Sequence, residues 1–600
     1  MGWTITVAIE PTGEFLAPVL NMRPRLQYYI TAARGWNRAG WFSIPWSSFL
    51  NFFGIATVCV IECCSTGFRI WLPLGKQFNS MKVPNSMAWN QLFQTKSLSS
   101  MVGDMEKGHR LKRSLGPVSL TAMGVGAIIG TGIFVLVGKA AANQAGPAII
   151  LSFVVAGLAC VFAALCYAEF ASMAPVAGSA YNYAYATMGE LMAWIIGWDL
   201  ILEYAVASST VAHGWSKYLQ KLLQQFKVDV FDVGGSLHKF SEAPFDYNGA
   251  SKAVDFTLAT GEKLAVQGGS FFPTGFYFDL PAILITAIVT CILVRGVTES
   301  AFVNALMVAI KVSVVLFIIF AGISYVNVEN WTKDFAPYGY GGVTFFGAPI
   351  FGGTEKGMMA GAAGVIFAYL GFDAVSTQAE EAKNPKRDLP IGIIGSLLIC
   401  TVLYIAVAAV LTGMVNYKDI DVNAPVASAF EQVGFASAQF IVTVGAIAGI
   451  TSVLLVMMMG QPRIFLAMAR DGLLPYGFFG AIHSKFQTPY KSTILTGVIV
   501  ATAASLLPLS ILADLTNIGT LFAFALVCTS VLILRYTDPN RPRPFRCPWS
   551  PVFPALGIIL CVVLMLSLPS ENWLRLIIWL LVGLSIYFVY GFWHSKLRQV

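Results

Sequence analysis

The stretch GVGAIIGTGIF, from Gly124 to Phe134, decides how this chain must be read. It lies inside an apolar run over about 117–138, long enough to cross a hydrocarbon layer of roughly 30 Å as helix. Yet glycine recurs every few residues, and each one lowers helix propensity by about 1 kcal/mol relative to alanine. Backbone freed by such an interruption survives at membrane depth only where it is buried in protein or lines a cavity. A second run carries the same contradiction in GAAGVIFAYLGFDA, from Gly361 to Ala374.

Working outward, the whole chain has a membrane composition. Of 600 residues, 56% are hydrophobic and 12% charged, against roughly 45–50% and 25% in ordinary soluble domains. The apolar residues fall into blocks at 117–138, 147–172, 191–211, 280–294, 301–326 and 358–377, then 389–415, 440–458, 492–507, 511–534, 554–568 and 573–592. None alternates as a barrel strand would, so the blocks predict about twelve transmembrane helices in an all-α integral membrane protein.

The two interrupted helices stand first and sixth, at corresponding places in two five-helix halves. Paired breaks of this kind point to an inverted repeat with a binding site near the bilayer midplane. Their chemistry suits a zwitterion. Amides freed at Gly130, Thr131 and Gly132 open a half-helix, whose positive end attracts a carboxylate. Carbonyls freed at Ile128, Phe367, Ala368 and Leu370 face an ammonium group. The competing reading is that the glycines only let helices approach closely.

Lys311 is the second sharp feature. It sits midway along ALMVAIKVSVVLFIIFAG, where insertion costs roughly 2.5–3.5 kcal/mol. It must therefore face the protein interior, near positive helix ends, either as a carrier of a coupling proton or as a structural lysine bonded to carbonyls. Glu169, Asp199, Glu203 and Asp373 are further acidic groups at membrane depth that tie helices together or serve the site. Glu380 and Glu381, beside Lys383 and Lys386, read as a solvated cluster or gate, and Tyr181, Tyr183 and Tyr185 as interface anchors.

Lys107, Arg110, Lys112 and Arg113 precede the first helix, Lys383, Lys386 and Arg387 follow the sixth, and Arg535, Arg541, Arg543 and Arg546 follow the tenth. Cation-rich ends are cytoplasmic, which places both termini there, in the cell (inner) membrane. The loop over about 216–277 reads as an external connector. Residues 1–86 read as an N-terminal extension, disordered or the product of a start assigned upstream of Met87.

The net charge of +7 is scattered over loops, which argues against a nucleic-acid partner. Ten cysteines show no CxxC pair, and Cys160, Cys166, Cys291 and Cys528 read as small core hydrophobes. Five dispersed histidines suggest no metal site, and no hydrolase, zincin or phosphate-loop motif argues for an enzyme or a cofactor.

From Met87 onward the chain resembles the amino acid, polyamine and organocation (APC) superfamily, and within it bacterial relatives of the cationic amino acid transporters. The resemblance rests on LFQTKSL with HRLKRSLGP, GAIIGTGIF, PVAGSAYNYAYATMGELMAWIIGWDLILEY, FAYLGFDAVSTQAEEAKNPKRDLP and QPRIFLAMARDGLLP. It implies a five-plus-five inverted repeat of the leucine-transporter type with two peripheral helices. The first repeat would span 117–326, after a cytoplasmic segment at 87–116, and the second 357–534. Residues 535–600 would hold the last two helices and the cytoplasmic C-terminus.

By the same resemblance, Ile128, Thr131 and Gly132 match substrate contacts of the first helix, and Phe367, Ala368 and Leu370 the carbonyl ligands of the sixth. Lys311 matches a lysine standing where other members hold sodium, implying proton coupling. Ile450 matches a pocket-floor position that limits side-chain size. The expected activity is alternating-access uptake of a small or neutral L-amino acid. Transport or exchange of cationic amino acids is the alternative, a sensor or channel is the rival from another class, and a small accessory membrane subunit stays an open question.

Overall fold

The computed structural model describes residues 60–64, 67–71, 92–97, 115–174, 178–226, 243–257, 263–273, 277–296, 301–345, 348–349, 356–379 and 382–598. Much of the 1–86 extension, most of the 87–116 segment, and Glu380 and Glu381 lie outside the described residues. Two compact units divide the chain. The unit made of Met1–Trp89 and Val254–Ala265 contains β1 (Val60–Cys64) paired antiparallel with β2 (Gly67–Trp71). Within the 1–86 extension, the described residues are therefore strand.

The unit formed by Asn90–Ala253 and Val266–Val600 holds the helices. They are α1 (Pro117–Ile128), α2 (Ile149–Met173), α3 (Ser179–Thr187), α4 (Glu190–Gln225), α5 (Leu280–Arg295), α6 (Ala301–Gly322) and α7 (Met358–Gly364). There follow α8 (Pro385–Met414), α9 (Pro425–Gln432), α10 (Ala436–Arg470), α11 (Tyr490–Leu506), α12 (Leu509–Thr537), α13 (Val552–Leu566) and α14 (Ser570–Ile586). Proline opens several of them, as at Pro117, Pro385 and Pro425, where a missing N–H costs nothing. Asp279 caps α5 by accepting from the Ala282 N–H at 3.1 Å.

Among the described residues, seven helical stretches are long and apolar enough to cross a membrane. A bent pair, Met358–Gly364 with Ile366–Thr377, is an eighth candidate, turned by 44° at its break. Four shorter apolar helices, α1, α5, α11 and α13, complete the set. The outer faces suit that environment. On α5, Leu284, Ile288 and Ile292 are 53%, 54% and 43% exposed at four-residue spacing, an apolar stripe that suits contact with lipid.

Several expectations need correction. The third apolar block does not stop at 211, because α4 runs on to Gln225; its inward face stays buried through Ser216 and Tyr218 although hydropathy has fallen. The stretch read as a connector over about 216–277 holds, after the end of α4, β3 (Phe245–Thr257) paired with β4 (Lys263–Pro273). Among the cysteines read as core, Cys160, Cys166 and Cys528 are buried, but Cys291 is exposed on α5.

α10 packs along α4, and α8 along both α1 and α2. On α4, Trp194 and Trp198 donate to the Gly583 and Trp579 carbonyls of α14, each at 2.9 Å. Tyr181, Tyr183 and Tyr185 prove to be core residues at 0–1% exposure rather than interface anchors. Tyr183 stacks on Phe170 with centroids 4.7 Å apart, while the Tyr181 hydroxyl donates to Asp471 at 2.7 Å.

Candidate functional site

α1 stops where its glycines predict. Ile129 is extended (φ −71°, ψ 105°), and winding resumes over Gly132–Leu136 as a wide, π-type turn. The first bonds of the resumed helix run from the Ile133 and Phe134 N–H groups to the Gly130 carbonyl, both at 3.2 Å. The amides of Gly130, Thr131 and Gly132 therefore stand ahead of the first intrahelical bond, as at any helix N-terminus. Thr131 is 1% exposed and its Oγ1 has no hydrogen-bond partner.

The second break mirrors the first. α7 ends at Gly364, Ile366–Tyr369 forms a tight 3-10 turn, and Leu370 is extended. Gly371 then adopts φ +119°, a conformation that disfavours any side chain. A Cβ on it would also lie 2.8 Å from the Ala127 carbonyl carbon. Likewise, a side chain on Gly132 would run into the backbone of Ala368. The glycines thus serve both readings of the sequence, unwinding the helices and letting the two breaks touch.

Side chains from neighbouring helices knit the breaks together. The Tyr404 hydroxyl on α8 lies 2.8 Å from the carbonyls of both Ile128 and Ala368. The Tyr218 hydroxyl on α4 donates to the Phe134 carbonyl at 2.7 Å. On α12, Asn517 accepts from the Phe367 N–H at 2.8 Å and donates to the Gly364 carbonyl at 3.1 Å. Lys311, 2% exposed, donates to the carbonyls of Gly126 at 2.5 Å and Ile129 at 3.2 Å.

Two sequence expectations change in detail. The carbonyls of Ile128, Phe367 and Ala368 are not bare, since Tyr404 shares the first and third and the Leu370 N–H donates to Phe367 at 3.2 Å. A carbonyl has a second lone pair, so each can still accept. Lys311 meets the carbonyl end of α1, where the helix dipole is negative, rather than a positive helix end.

Ile128, Thr131, Phe367, Ala368, Leu370, Ile450 and Lys311 are all 5% exposed or less. α10 reaches the breaks through Val453, 2.7 Å from where a Gly130 Cβ would stand, and through Gly449, beside Phe134 and Lys311. Ile450 is fully buried one residue further along. Tyr404, Tyr218 and Asn517 were not singled out by the sequence reading. For Tyr404 and Asn517 the signal is a hydrogen-bonding side chain inside an apolar block, which must find a partner in the bundle, whereas Tyr218 falls in the stretch read as a connector.

Away from the breaks, Asp199 and Glu203 on α4 are buried, and none of their carboxyl oxygens has a hydrogen-bond partner. Asp199 lies against Gly519 of α12, with Oδ1 3.1 Å from where a Cβ would be. Asp373 accepts from the Tyr204 hydroxyl at 3.0 Å and the Gly371 N–H at 3.2 Å.

Chemically, the arrangement sets helix-end amides, which suit an anion, beside carbonyls, which suit a cation. Apolar helices built around two touching, buried backbone breaks define a multi-pass membrane transporter. The chain belongs to the amino acid permease family, whose model matches residues 115–587. It is 45% identical over 509 residues to the branched-chain amino acid permease BcaP of Bacillus subtilis (strain 168), covering 85% of this chain and 99% of that one. It is 42% identical over 510 residues to the methylthioribose transporter of the same organism, covering 85% and 100%. To the vacuolar cationic amino acid transporter 2 of Arabidopsis thaliana it is 38% identical over 476 residues, covering 78% and 68%. These relatives are transporters, not enzymes.

Proposed function

We propose that this permease is a proton-coupled symporter of small or neutral L-amino acids, working by alternating access without a cofactor. The observation that carries the reading is the meeting of the two breaks at Gly132 and Ala368. Orphan amides at Gly130, Thr131 and Gly132 would take the substrate carboxylate. The carbonyls of Ile128, Phe367, Ala368 and Leu370 would take its ammonium group. Both charges are then met by main-chain dipoles, which place no demand on the substrate side chain.

In this reading the chain crosses the cell membrane twelve times, as a five-plus-five inverted repeat with α13 and α14 outside it. The seven long stretches, the bent pair and the shorter apolar helices together accommodate that count. Lys383, Lys386, Arg387 and the arginines around 535–546 favour cytoplasmic termini. Alternating access would come from rocking the helices that carry the breaks against α4 and α10.

Lys311 is the proposed proton carrier. A neutral amine retains two N–H donors, enough for both the Gly126 and Ile129 carbonyls, so its contacts accommodate either protonation state. Losing the charge would weaken the hold on the end of α1 and link the proton to the break. Ile450 is the proposed limit on side-chain size. A branched apolar residue offers a guanidinium no partner, which favours neutral substrates, although some relatives are named for cationic ones.

Purified protein in proteoliposomes tests the reading. Radiolabelled L-alanine or L-isoleucine should accumulate when the outside is made acid, and much less without a pH gradient. Uptake indifferent to the gradient would remove the coupling. Arginine as the preferred substrate would reverse the assignment of side-chain class.

A further inference from the structure

We propose that Asn517 is a positioning residue that sets the ammonium-binding carbonyls of the second break. The proposal rests on the reading above, in which those carbonyls hold the substrate's amine.

Where α7 ends, the backbone loses regular partners. Val365 N–H still reaches the Gly361 carbonyl at 3.0 Å, and Ala368 N–H reaches Val365 at 2.9 Å. Between them, the Gly364 carbonyl and the Phe367 N–H lie outside this ladder, and Asn517 supplies a partner to each. Its carboxamide is a peptide group in miniature, with a donor and an acceptor in one plane. Asn517 thus replaces the pairing that an unbroken helix would provide at this point.

The consequence is geometric. Holding the Phe367 N–H fixes the peptide plane just before the Phe367 carbonyl, and holding the Gly364 carbonyl fixes the plane where the turn begins. With the backbone held on entry to the turn, the Phe367 carbonyl, and after it those of Ala368 and Leu370, start from one fixed direction. Asn517 is fully buried on α12. It touches the second break, whereas the amides of the first break belong to Gly130, Thr131 and Gly132. Its effect should therefore fall on recognition of the amine and spare recognition of the carboxylate.

The test is competition binding on purified, monodisperse protein, with labelled L-alanine displaced by L-alanine, N-methyl-L-alanine and L-alaninamide. In the wild-type protein, N-methylation should weaken binding by about tenfold, because it removes one N–H from fixed acceptors. In Asn517→Ala that penalty should fall to about twofold, while the penalty for the amide stays within about twofold of wild type. Asn517→Leu keeps the branched shape, fills the space and removes both hydrogen bonds, so it should behave like the alanine variant and guards against collapse of the site.

An unchanged N-methyl penalty in the leucine variant overturns the inference, and so does an equal loss of discrimination at both ends of the substrate. If the wild-type protein binds no L-alanine, or does not distinguish the N-methyl derivative, the substrate reading fails and takes this inference with it.

Discussion

Arg535 meets Glu169 side-on, with Nε 3.0 Å from Oε1 and Nη2 2.6 Å from Oε2. Glu169 is 1% exposed on α2, and it also accepts from the Cys547 N–H at 2.7 Å and lies 3.2 Å from Arg543 Nε. One carboxylate therefore ties α2 to the end of α12 and to the loop beyond it. The arginines that follow α12 are thus in part a folding device for that loop.

Glu169→Gln removes the charge and leaves two arginines facing a neutral amide. Breaking a buried pair from one side costs about 3–5 kcal/mol; because Arg535 is 25% exposed, the lower end applies. Thermal unfolding in detergent should show a clear fall in midpoint, while L-alanine affinity of the folded fraction stays near wild type.

Gly132→Ala should disable the site by collision. The new methyl group meets the Ala368 backbone, and overpacking of that kind costs about 1–3 kcal/mol. Binding should be lost even in folded protein. Gly116→Ala, where nothing lies within 4 Å of the added carbon, serves as the control and should transport normally.

Lys311→Ala should suppress uptake driven by a pH gradient much more than it suppresses binding or counterflow. The variant also removes the donors to Gly126 and Ile129, so some loss of affinity is expected. A variant whose uptake kept the wild-type response to external pH would show that the proton travels by another group.

Ile450→Ser should widen the range of accepted substrates. Replacing a fully buried isoleucine with a small hydroxyl leaves room and a hydrogen-bond partner. Larger and cationic amino acids should then compete for L-alanine uptake, whereas identical competition profiles in both proteins would discard the size limit.

The membrane character and the breaks were legible because both are local. Apolar block length follows from bilayer thickness, and glycine clustering marks the interruptions at 129–131 and 365–371. What stayed hidden depends on partners distant in sequence. Nothing around Tyr404 says that its hydroxyl lies between Ile128 and Ala368, and nothing around Asn517 says that it completes the turn at Phe367. The end of α4 was misjudged because hydropathy averages over all faces, while one buried face is enough to continue a helix. Lys311 was legible as an anomaly, but the polarity of the helix end it meets was not.

A phenol carries a single hydrogen, and at Tyr404 two oxygens compete for it at equal range. That hydrogen can point at either broken rod or be shared between them. The rivalry leaves this crossing point undecided between two tethers, so a small rearrangement can hand the hydrogen from one to the other without opening a gap.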